Sequence, residues 1–477
     1  MKRAVAFMGS MSSVGKTFLT ALACRWFARK GLKVFPFKAQ NMSLNALATE
    51  EGEMAWAQAY QALAAGRRPS VRMNPLLLKP LAPQQAEIIF LGRPQGTLFA
   101  DRFRDFRRAY QARVFAILEE ALSQNELVII EGAGGLAELN LLEGDLANYE
   151  LLRTWRIPFV LIGDIDRGGI FAQLLGTLEL LPEIRPLCLG LVANKFRGRA
   201  ELFKEGARIL TERSGKPFLG LLPYREDHFL EEDSASLPLA QGFVSTRPIK
   251  IAVLAYPYLS NFLDVDPLRH EEEVELIFTQ DPQALQEAQA IILPGSRNVE
   301  RSLAWLRQRG LTEILQKLAG EKVILGICGG FQILGKVVRD PEGLEFGGEL
   351  EGLGLLPHET LFKRPKRYGP LTDQVDFPFW KGSLSGFEIR YGRSYLQGQE
   401  IRSLARGEVL GTYLHGIFFQ DAFRQAFLNY LRRRQGLSPL AGEAYSTKVA
   451  RTLDRVLEDP AFASFFETLE SILYQRC

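Results

Sequence analysis

The stretch Val323–Gly330 places one cysteine in a sharp turn between a short apolar strand and a helix-forming segment. Cys328 follows the strand-forming run Val323–Ile327 and is separated by two glycines from Phe331–Leu334. A strand, a tight turn and a helix in that order form a nucleophile elbow. The turn strains the backbone and exposes the sulfur near a helix N-terminus, whose partial positive charge favours thiolate over thiol. This part of the chain is therefore predicted to be an α/β sheet with a reactive cysteine at the end of one strand.

A histidine that can accept the proton of this thiol follows much later in the sequence. The chain has four histidines, and His415 lies in the apolar, β-prone stretch Gly411–Gly416. A free cysteine is usually an inert core residue, but the flanking glycines and His415 reverse that expectation for Cys328. A cysteine and a histidine far apart in sequence, each at a strand end, form a Cys–His pair once the chain folds. We predict that Cys328 is a nucleophile and that His415 is its base.

Length and charge favour a multidomain enzyme over a nucleic-acid or membrane protein. The 477 residues exceed the size of a single hydrophobic core. The 58 basic and 55 acidic residues give a net charge of +3, too near balance to indicate a nucleic-acid or membrane partner. No signal peptide or membrane span is recognisable, and four scattered cysteines fit a reducing compartment. We expect a cytoplasmic protein, and the sequence leaves its oligomeric state open.

Apolar strands alternating with helical patterns divide the chain into two α/β blocks, each with a parallel sheet covered on both faces. In the first block the strand patterns are Arg3–Met8, Lys33–Phe37, Leu127–Ile130, Pro158–Ile162 and Leu189–Val192, with helical patterns at Phe18–Arg29 and Tyr110–Leu122. In the second block they are Ile249–Leu254, Ala290–Pro294 and Val323–Ile327, with a helical pattern at Asp421–Arg434. We predict a first domain at residues 1–235, a linker at 236–248, a second domain at 249–436 and a helical tail at 437–477.

A glycine-containing loop between the first strand and the first helix predicts nucleotide binding. Gly9–Thr17 resembles a P-loop with one residue more between its glycines than usual. Small residues such as Ser12 and Gly15 let successive backbone N–H groups converge on phosphate oxygens at a helix N-terminus. Lys16 supplies a cation for the β- and γ-phosphates, and the Thr17 hydroxyl can ligate Mg²⁺. The predicted ligands are therefore ATP and Mg²⁺.

Polar side chains at later strand ends supply further candidates for this site. Glu131 directly follows one apolar strand, and Asp164 and Asp166 follow the next. Ligands of open α/β sheets collect at the carboxyl ends of the strands, so we expect Glu131 and one of the two aspartates, with Asp164 preferred, to hold metal or phosphate. Asn194, at the end of another strand, is a candidate for reading an adenine edge. The alternative for the aspartates is helix N-capping.

A Cys–His site and a phosphate site on one chain indicate a division of labour. The cysteine can attack a carboxamide, release ammonia and form a thioester that water clears. The phosphate site can activate a carboxylate as an acyl phosphate for ammonia to attack. Glutamine is the expected donor and ATP the energy source. Because ammonia protonates in bulk water, the scheme requires a sheltered path between the sites.

Motifs throughout the sequence are similar to those of the cobyric acid synthase family. They are Gly9–Thr17, Phe37–Asn45, Met73–Pro80, Glu131–Gly134, Asp164–Gly169, Leu293–Ser296, Gly326–Gly330 and Tyr413–Gly416. The segment Lys38–Asn45 is the most specific of them. The resemblance implies a dethiobiotin synthetase-like P-loop domain followed by a class I glutamine amidotransferase domain, both doubly wound α/β folds.

The resemblance also implies a reaction and roles for particular residues. The family amidates the b, d, e and g carboxylates of adenosylcobyrinic acid a,c-diamide, a corrinoid, to give adenosylcobyric acid. Cys328 and His415 would form the glutaminase pair, and backbone N–H groups near Gly295 and Gly329 the oxyanion hole.

A second group of residues would contact phosphate or substrate in this family. Lys38, Gln40 and Asn41 lie just after a strand end, and Asp145 matches an acidic position near the carboxylate that is activated. Buried hydrogen bonding within a loop is the alternative for these four residues.

Several positions depart from the family pattern. Class I amidotransferases commonly place a glutamate two residues after the histidine, and this chain has Ile417 at that position. The cobyric acid branch also lacks this glutamate. Glu388 is a candidate for orienting His415 instead. Arg390 replaces a usual histidine, and the stretch after Ser296, including Ser302, differs from the preferred pattern.

Two other functions are open at this stage. Cobyrinic acid a,c-diamide synthase pairs similar domains but acts earlier, and the segments Gln40–Ser43 and Met73–Pro75 favour the later enzyme. The lengthened P-loop also resembles that of partitioning ATPases, which dimerise on a surface. A basic surface helix or an amphipathic tail would support that function, and neither is evident in the sequence.

Overall fold

Two parallel sheets organise the computed structural model, which describes residues 4–82, 84–142, 144–225, 237 and 239–475. The described residues fall into two compact units, one lying within Met1–Ser43, Met54–Phe229 and Val449–Cys477, the other within Leu44–Glu53 and Leu230–Lys448. The predicted domain boundary after residue 235 lies outside the described residues.

Twelve strands and six helices precede residue 225 in the described ranges. The strands are β1 (Ala4–Gly9), β2 (Val34–Phe37), β3 (Gln40–Met42), β4 (Ala46–Thr49), β5 (Gly52–Ala55), β6 (Leu76–Ala82), β7 (Gln85–Phe90), β8 (Arg93–Phe99), β9 (Leu127–Glu131), β10 (Phe159–Asp164), β11 (Cys188–Phe196) and β12 (Phe218–Pro223). The helices are α1 (Lys16–Arg29), α2 (Trp56–Ala64), α3 (Phe103–Gln124), α4 (Tyr149–Trp155), α5 (Ile170–Leu180) and α6 (Lys204–Ser214).

The later elements continue this numbering. The strands are β13 (Ile249–Leu254), β14 (Leu259–Ser260), β15 (Val274–Thr279), β16 (Ala290–Leu293), β17 (Gly295–Ser296), β18 (Val323–Ile327), β19 (Val337–Asp340), β20 (Gly348–Glu351), β21 (Glu359–Phe377), β22 (Trp380–Leu396), β23 (Gln399–Ile401), β24 (Ser403–Arg406) and β25 (Val409–Thr412). The helices are α7 (Asp266–Arg269), α8 (Pro282–Glu287), α9 (Val299–Gln308), α10 (Leu311–Leu318), α11 (Gly329–Leu334), α12 (Asp421–Arg434), α13 (Tyr445–Glu458) and α14 (Pro460–Gln475).

The first unit is built on a six-stranded sheet in the order β12-β11-β10-β1-β9-β2, with every pair parallel. Every residue of β1, β9 and β10 is buried, as expected for strands that helices cover on both faces. Because neighbouring strands run in the same direction, the loops that follow β1, β9 and β10 meet at one edge of the sheet. The predicted parallel sheet is confirmed.

The second unit has its own six-stranded sheet in the order β15-β13-β16-β18-β25-β24. All pairs are parallel except the edge pair β24–β25. Strands β18 and β25 are adjacent, with Ile327 opposite Thr412. This pairing brings the turn after β18 and the loop after β25 to the same end of the sheet, so the predicted α/β fold is confirmed here as well.

Antiparallel structure that the sequence did not predict is attached to both sheets. In the second unit β21 and β22 form a long hairpin within the sheet β20-β19-β21-β22-β23. In the first unit β3 joins the sheet β3-β6-β7-β8. The β21–β22 hairpin contains Gly369, Pro370 and Gly382 and alternates exposed with less exposed residues along much of its length. It therefore lacks the continuous apolar runs that identify buried strands.

The last helix, α14, packs against β12 in the first unit. Two arginine–carboxylate hydrogen bonds join Arg25 of α1 to Asp454, and Trp26 stacks on Phe466 with ring centroids 5.7 Å apart. The C-terminal helices thus pack on the first unit. Of the helices in the described ranges, none has the length and apolarity needed to cross a membrane.

Candidate functional site

Cys328 occupies a strained turn between β18 and α11. Its backbone has φ 52° and ψ −104°, a region that non-glycine residues rarely adopt. The next two positions must be glycine for steric reasons, because a Cβ on Gly329 would lie 2.3 Å from the Ser296 nitrogen and a Cβ on Gly330 would lie 1.9 Å from the Leu293 oxygen. The predicted strand, turn and helix are present in the structure. The predicted exposure of the sulfur is wrong, because Cys328 is buried and only 8% exposed.

Strand β17, which contains Ser296, lies beside the nucleophile. A Cβ on Gly295 would meet the Ser260 carbonyl oxygen at 2.7 Å, because β17 pairs with β14 at that point. The backbone of Gly329 therefore lies against the segment that contains Gly295 and Ser296. This arrangement suits an oxyanion hole made of backbone N–H groups, although that role stays a prediction.

His415 follows β25 and faces the cysteine. Its backbone exchanges two hydrogen bonds with Phe387, and its ring stacks on the Phe387 ring with centroids 5.2 Å apart. Cys328 lies close enough to the imidazole to raise the pKa of His415, and the Cys328 Sγ lies 3.7 Å from the Ile389 carbonyl oxygen. The structure thus brings together the two residues that the sequence pairs.

Asp264 orients this imidazole, and the sequence analysis missed it. Its Oδ2 lies 2.6 Å from Nδ1 of His415, while its Oδ1 accepts a hydrogen bond from the Gly416 N–H at 2.9 Å. Asp264 lies in a short 3₁₀ helix, Phe262–Val265. Glu388, the residue proposed for this task, instead accepts a hydrogen bond from Arg390 Nε at 2.7 Å. That hypothesis is wrong, because the Glu388 carboxylate pairs with the neighbouring guanidinium.

The charge state of His415 follows from these neighbours. Burial alone would lower the pKa of His415, but the Asp264 carboxylate and Cys328 raise it to about 10. The imidazole is therefore protonated at neutral pH. An imidazolium beside a cysteine favours the thiolate form, which is the nucleophile.

The phosphate loop Gly9–Thr17 folds as the sequence predicts. Gly15 adopts φ 95° immediately before α1, a conformation that favours glycine. Lys16 Nζ donates to the carbonyl oxygens of Met11 at 3.2 Å and Gly134 at 2.8 Å. Burial and the nearby Lys38 ammonium together lower the pKa of Lys16 to about 8, against the opposing effect of the Glu131 carboxylate. Ser12 is an exposed residue of the same loop.

Glu131 is the centre of a buried polar cluster beside this loop. Its Oε1 accepts hydrogen bonds from Thr17 Oγ1 and Lys38 Nζ, both at 2.8 Å. Its Oε2 accepts from Gln58 at 3.1 Å and Gln61 at 2.6 Å. Burial would raise the pKa of Glu131, but the Lys38 ammonium and the donated hydrogen bonds hold it below its ordinary value. Two glutamines three residues apart on the apolar helix α2 were the available signal for the missed partners.

Asp164 and Asn194 lie on the other flank of the loop. Asn194 Nδ2 donates to the Val14 carbonyl oxygen at 2.8 Å, and a Cβ on Gly15 would meet that nitrogen at 2.3 Å. Asp164 Oδ2 lies 3.4 Å from Lys195 Nζ, and Asp164 Oδ1 accepts from the N–H of Asp166. These hydrogen bonds and ion pairs link Asp164 to the Lys195 side of the loop, whereas Glu131 bonds to Thr17. The adenine contact of Asn194 stays a prediction.

The remaining predicted contacts are buried. The side chains of Gln40 and Asn41 are 6% and 3% exposed, and Asn41 Nδ2 donates to Gln58. The carboxylate of Asp145 accepts three backbone N–H groups around the start of α4, from Ala147, Asn148 and Tyr149. Asp145 therefore acts as a local cap in this structure, and its contact with substrate remains a prediction. Within the described ranges, no cluster of three or more His, Cys, Asp or Glu side chains could hold a metal ion.

Two of the departures from the family pattern are internally compensated. Arg390 lies over the Tyr413 ring with its guanidinium carbon 3.9 Å from the centroid. Ser302 shares a hydrogen bond with Ser296 at 2.8 Å. Both positions are buried.

Comparison with protein families divides the chain into two matched regions. Residues 5–237 match the CobQ/CobB/MinD/ParA nucleotide binding domain, and residues 250–423 match the CobB/CobQ-like glutamine amidotransferase domain. The order of the two regions agrees with the predicted order of the two folds.

Whole-length relatives are also similar to this chain. A cobyric acid synthase of Moorella thermoacetica is 41% identical over 475 residues, covering 93% of this chain and 91% of the relative. A cobyric acid synthase of Chloroflexus aurantiacus is 42% identical, with 91% and 93% covered. A probable cobyric acid synthase of Thermococcus kodakarensis is 40% identical, with 94% of both chains covered.

Proposed function

Because this chain belongs to the cobyric acid synthase family, we propose that it catalyses the ATP- and glutamine-dependent amidation of adenosylcobyrinic acid a,c-diamide. The b, d, e and g carboxylates become amides, and the product is adenosylcobyric acid. The observation that carries this proposal is the presence, on one chain, of a Cys328–His415–Asp264 cluster and a phosphate loop linked to Glu131. Neither site alone would make an amide from glutamine.

The first site releases ammonia. The Cys328 thiolate attacks the carboxamide carbon of glutamine, and the oxyanion that forms accepts hydrogen bonds from backbone N–H groups near Gly295 and Gly329. The His415 imidazolium gives its Nε2 proton to the leaving nitrogen, so ammonia departs and a thioester remains. Water then attacks the thioester, His415 takes up its proton, and glutamate leaves. Asp264 holds the Nδ1–H throughout, which keeps Nε2 directed at the sulfur.

The second site forms the amide. A substrate carboxylate oxygen attacks the γ-phosphorus of ATP, ADP leaves, and an acyl phosphate results. Ammonia attacks the acyl carbon, phosphate leaves, and one proton is lost, which yields the carboxamide. Lys16 would neutralise charge on the β- and γ-phosphates, and Lys38 lies within the same polar cluster. Thr17 and Glu131 would hold a Mg²⁺ ion, which, when bound, neutralises phosphate charge.

Mass spectrometry of the product tests this proposal. The protein is incubated with the a,c-diamide, ATP, Mg²⁺ and glutamine, and each amide formed replaces a hydroxyl by an amino group. Cobyrinic acid is offered in parallel, because amidation of that substrate would identify a cobyrinic acid a,c-diamide synthase. A partitioning ATPase would instead sediment with DNA or liposomes in a nucleotide-dependent manner and would not hydrolyse glutamine.

Two variants separate the half-reactions. Cys328→Ala should abolish glutamine-dependent product, while a high ammonium concentration still supports amidation. Lys16→Ala should abolish synthesis with either nitrogen source. Unchanged turnover in Lys16→Ala would refute the phosphate-loop assignment, and failure of ammonium to rescue Cys328→Ala would refute the two-site scheme, provided that the variant keeps the ATPase activity of the parent.

A further inference from the structure

A short segment of the first half of the sequence is part of the glutaminase unit. Leu44–Glu53 belongs to the second compact unit, although the residues before and after it belong to the first. Its strand β4 packs against β21 and β22, the long hairpin of the second unit. The segment directly follows Lys38–Ser43, which lies beside the phosphate loop.

Two contacts fix this segment within the second unit. Glu53 is fully buried, and its Oε2 lies 3.5 Å from Lys366 Nζ on β21. The Ala46 N–H donates to Asn261 Oδ1 at 3.3 Å. Removing one partner of a buried ion pair leaves an unpaired charge and is strongly destabilising. The Glu53–Lys366 pair therefore favours one position of the segment on this unit.

Asn261 lies next to several residues of the cysteine site. It adopts φ 49° and is 6% exposed, and its carbonyl oxygen accepts the N–H of Asp264. The residue before it, Ser260, pairs with Gly295. Its side-chain Nδ2 lies 3.4 Å from His415 Nδ1. One residue thus adjoins the orienting carboxylate, the imidazole and the predicted oxyanion strand.

The hydrogen bond from Ala46 decides which end of the Asn261 amide faces the imidazole. With Oδ1 engaged by the Ala46 N–H, the NH₂ group faces His415 and leaves the Nδ1 proton to Asp264. If the Ala46 donor were lost, the amide could rotate and present its oxygen to Nδ1. That oxygen would compete with Asp264 for the same proton and would pull the ring away from the sulfur.

In the sequence, Leu44–Glu53 directly follows residues that lie beside the phosphate loop. Lys38 Nζ contacts Glu131 at 2.8 Å, and β3 pairs in parallel with β6 inside the first unit. A shift of Lys38–Ser43 when phosphate binds would be passed along the covalent chain to Ala46. The structure therefore contains a continuous route of a few residues from one site's cation to the other site's base.

We propose that Leu44–Glu53 is a coupling element and that Asn261 is the positioning residue through which it holds His415 and Asp264 in register. This proposal rests on the proposed function. It implies that glutamine hydrolysis is fast only while Leu44–Glu53 is bound in this position and Ala46 donates to Asn261. Binding of ATP and the corrinoid should then raise the rate of glutamate release.

Substitution of Ala46 tests the proposal with a matched control. Ala46→Pro removes the N–H donor, whereas Ala46→Ser keeps it. We expect Ala46→Pro to lower kcat for glutamate release by about tenfold or more and to abolish its stimulation by ATP and corrinoid. Amidation with ammonium should stay within about twofold of the parent, because the phosphate site is untouched. Parental glutaminase activity and stimulation in Ala46→Pro would overturn the proposal.

Asn261→Asp separates positioning from mere structural support and remains informative if Ala46→Pro does not fold. Aspartate tolerates positive φ and still accepts the Ala46 N–H, but it places a second carboxylate beside His415. We expect slower glutamate release and a pH profile of Cys328 alkylation by iodoacetamide whose upper inflection moves to higher pH. An unmoved profile with parental activity would contradict the role of Asn261. A parent protein that neither hydrolyses glutamine nor amidates with ammonium would instead refute the proposed function.

Discussion

The Asp264 carboxylate lies 2.6 Å from His415 Nδ1, on a segment about 150 residues before the histidine in the sequence. Class I amidotransferases commonly supply this carboxylate from a glutamate two residues after the histidine, where this chain has the buried Ile417. The orienting group is thus present but comes from the 3₁₀ helix Phe262–Val265. The consequence is a complete Cys–His–Asp arrangement in a sequence that shows only two of its members.

Asp264→Asn should inactivate the glutaminase site without unfolding it. Gly416 would still donate to the amide oxygen, so the amide NH₂ would face Nδ1 and force the tautomer in which Nε2 carries the proton. That tautomer cannot accept a proton from Cys328, and we expect glutamate release to fall on the order of 10²–10⁴-fold. Amidation with ammonium should persist. Asp281→Asn, at the N-cap of α8 in the same unit, is the control and should stay near the parent; a parental rate in Asp264→Asn would contradict the assignment.

The hydroxyl of Thr17 should control the Mg²⁺ requirement of synthesis. Thr17→Val is nearly isosteric but loses both the predicted metal ligand and the hydrogen bond to Glu131. We expect a higher Mg²⁺ concentration for half-maximal amidation and a rate lower by about 10²-fold. Thr17→Ser keeps the hydroxyl and should behave like the parent. The measurement is ammonium-driven amidation as a function of Mg²⁺, which leaves the cysteine site out of the comparison.

Asp164→Asn discriminates between the two predicted metal carboxylates. Asp164 pairs with Lys195 rather than with Thr17, so its substitution should leave the Mg²⁺ dependence unchanged even if the rate falls. If Asp164→Asn raised the Mg²⁺ requirement and Thr17→Val left it normal, Asp164 would be the metal ligand and Thr17 and Glu131 would not.

His358 should make the second unit sensitive to acid. It is fully buried against Phe331, with ring centroids 4.2 Å apart, and burial lowers the pKa of His358 to about 4 from the ordinary 6.5. The unfolded chain therefore binds a proton at a higher pH than the folded chain does. Its contribution to stability is fully present above pH 6.5 and is lost as pH falls toward 4, amounting to about 3 kcal/mol. Chemical denaturation of the parent and of His358→Phe between pH 8 and pH 4 measures this directly. A difference between the two proteins that does not change with pH would contradict it.

Gly330→Ala should damage the elbow through a steric clash rather than through lost flexibility. Its Cβ would lie 1.9 Å from the Leu293 carbonyl oxygen, which is backbone and cannot rotate away. We expect a loss of about 3 kcal/mol in the free energy of unfolding, together with reduced glutamate release. Gly242→Ala, in the same unit with open space at its Cβ, is the control and should change the free energy by less than about 0.5 kcal/mol. Equal stability of the two variants would show that the backbone of the turn can shift.

The sequence predicted the parts of this protein that depend on short-range patterns. Strand β13 and helix α12 begin and end where their apolar periodicity indicates. The elbow at Cys328 was identifiable because its strand, glycines and helix are contiguous. His415 could be paired with it because few histidines were available to choose from.

Contacts between distant segments could not be read in the same way. Asp264 has no neighbouring motif, and its role depends on how β14 and β17 bring Phe262–Val265 to the histidine. Glu388 was a candidate for orienting His415, but its carboxylate accepts a hydrogen bond from Arg390, two residues later. Lys38 was expected to contact phosphate or substrate, whereas its partner Glu131 becomes apparent only once β2 and β9 are neighbours. Side-chain pairing of this kind depends on tertiary register, which a single sequence does not encode locally.

The path of the chain through its two units has a consequence for biosynthesis and for protein engineering. Helix α14 completes the nucleotide-binding unit, although the glutaminase unit is encoded before it. During translation β12 and α1 therefore lack their covering helix until the ribosome has synthesised α14, which ends at Gln475. For the same reason a single cut in the gene cannot yield two independent proteins. In a split version, the segment from Val449 onward would have to be fused to the amino-terminal half. Leu44–Glu53 would have to be supplied to the second unit.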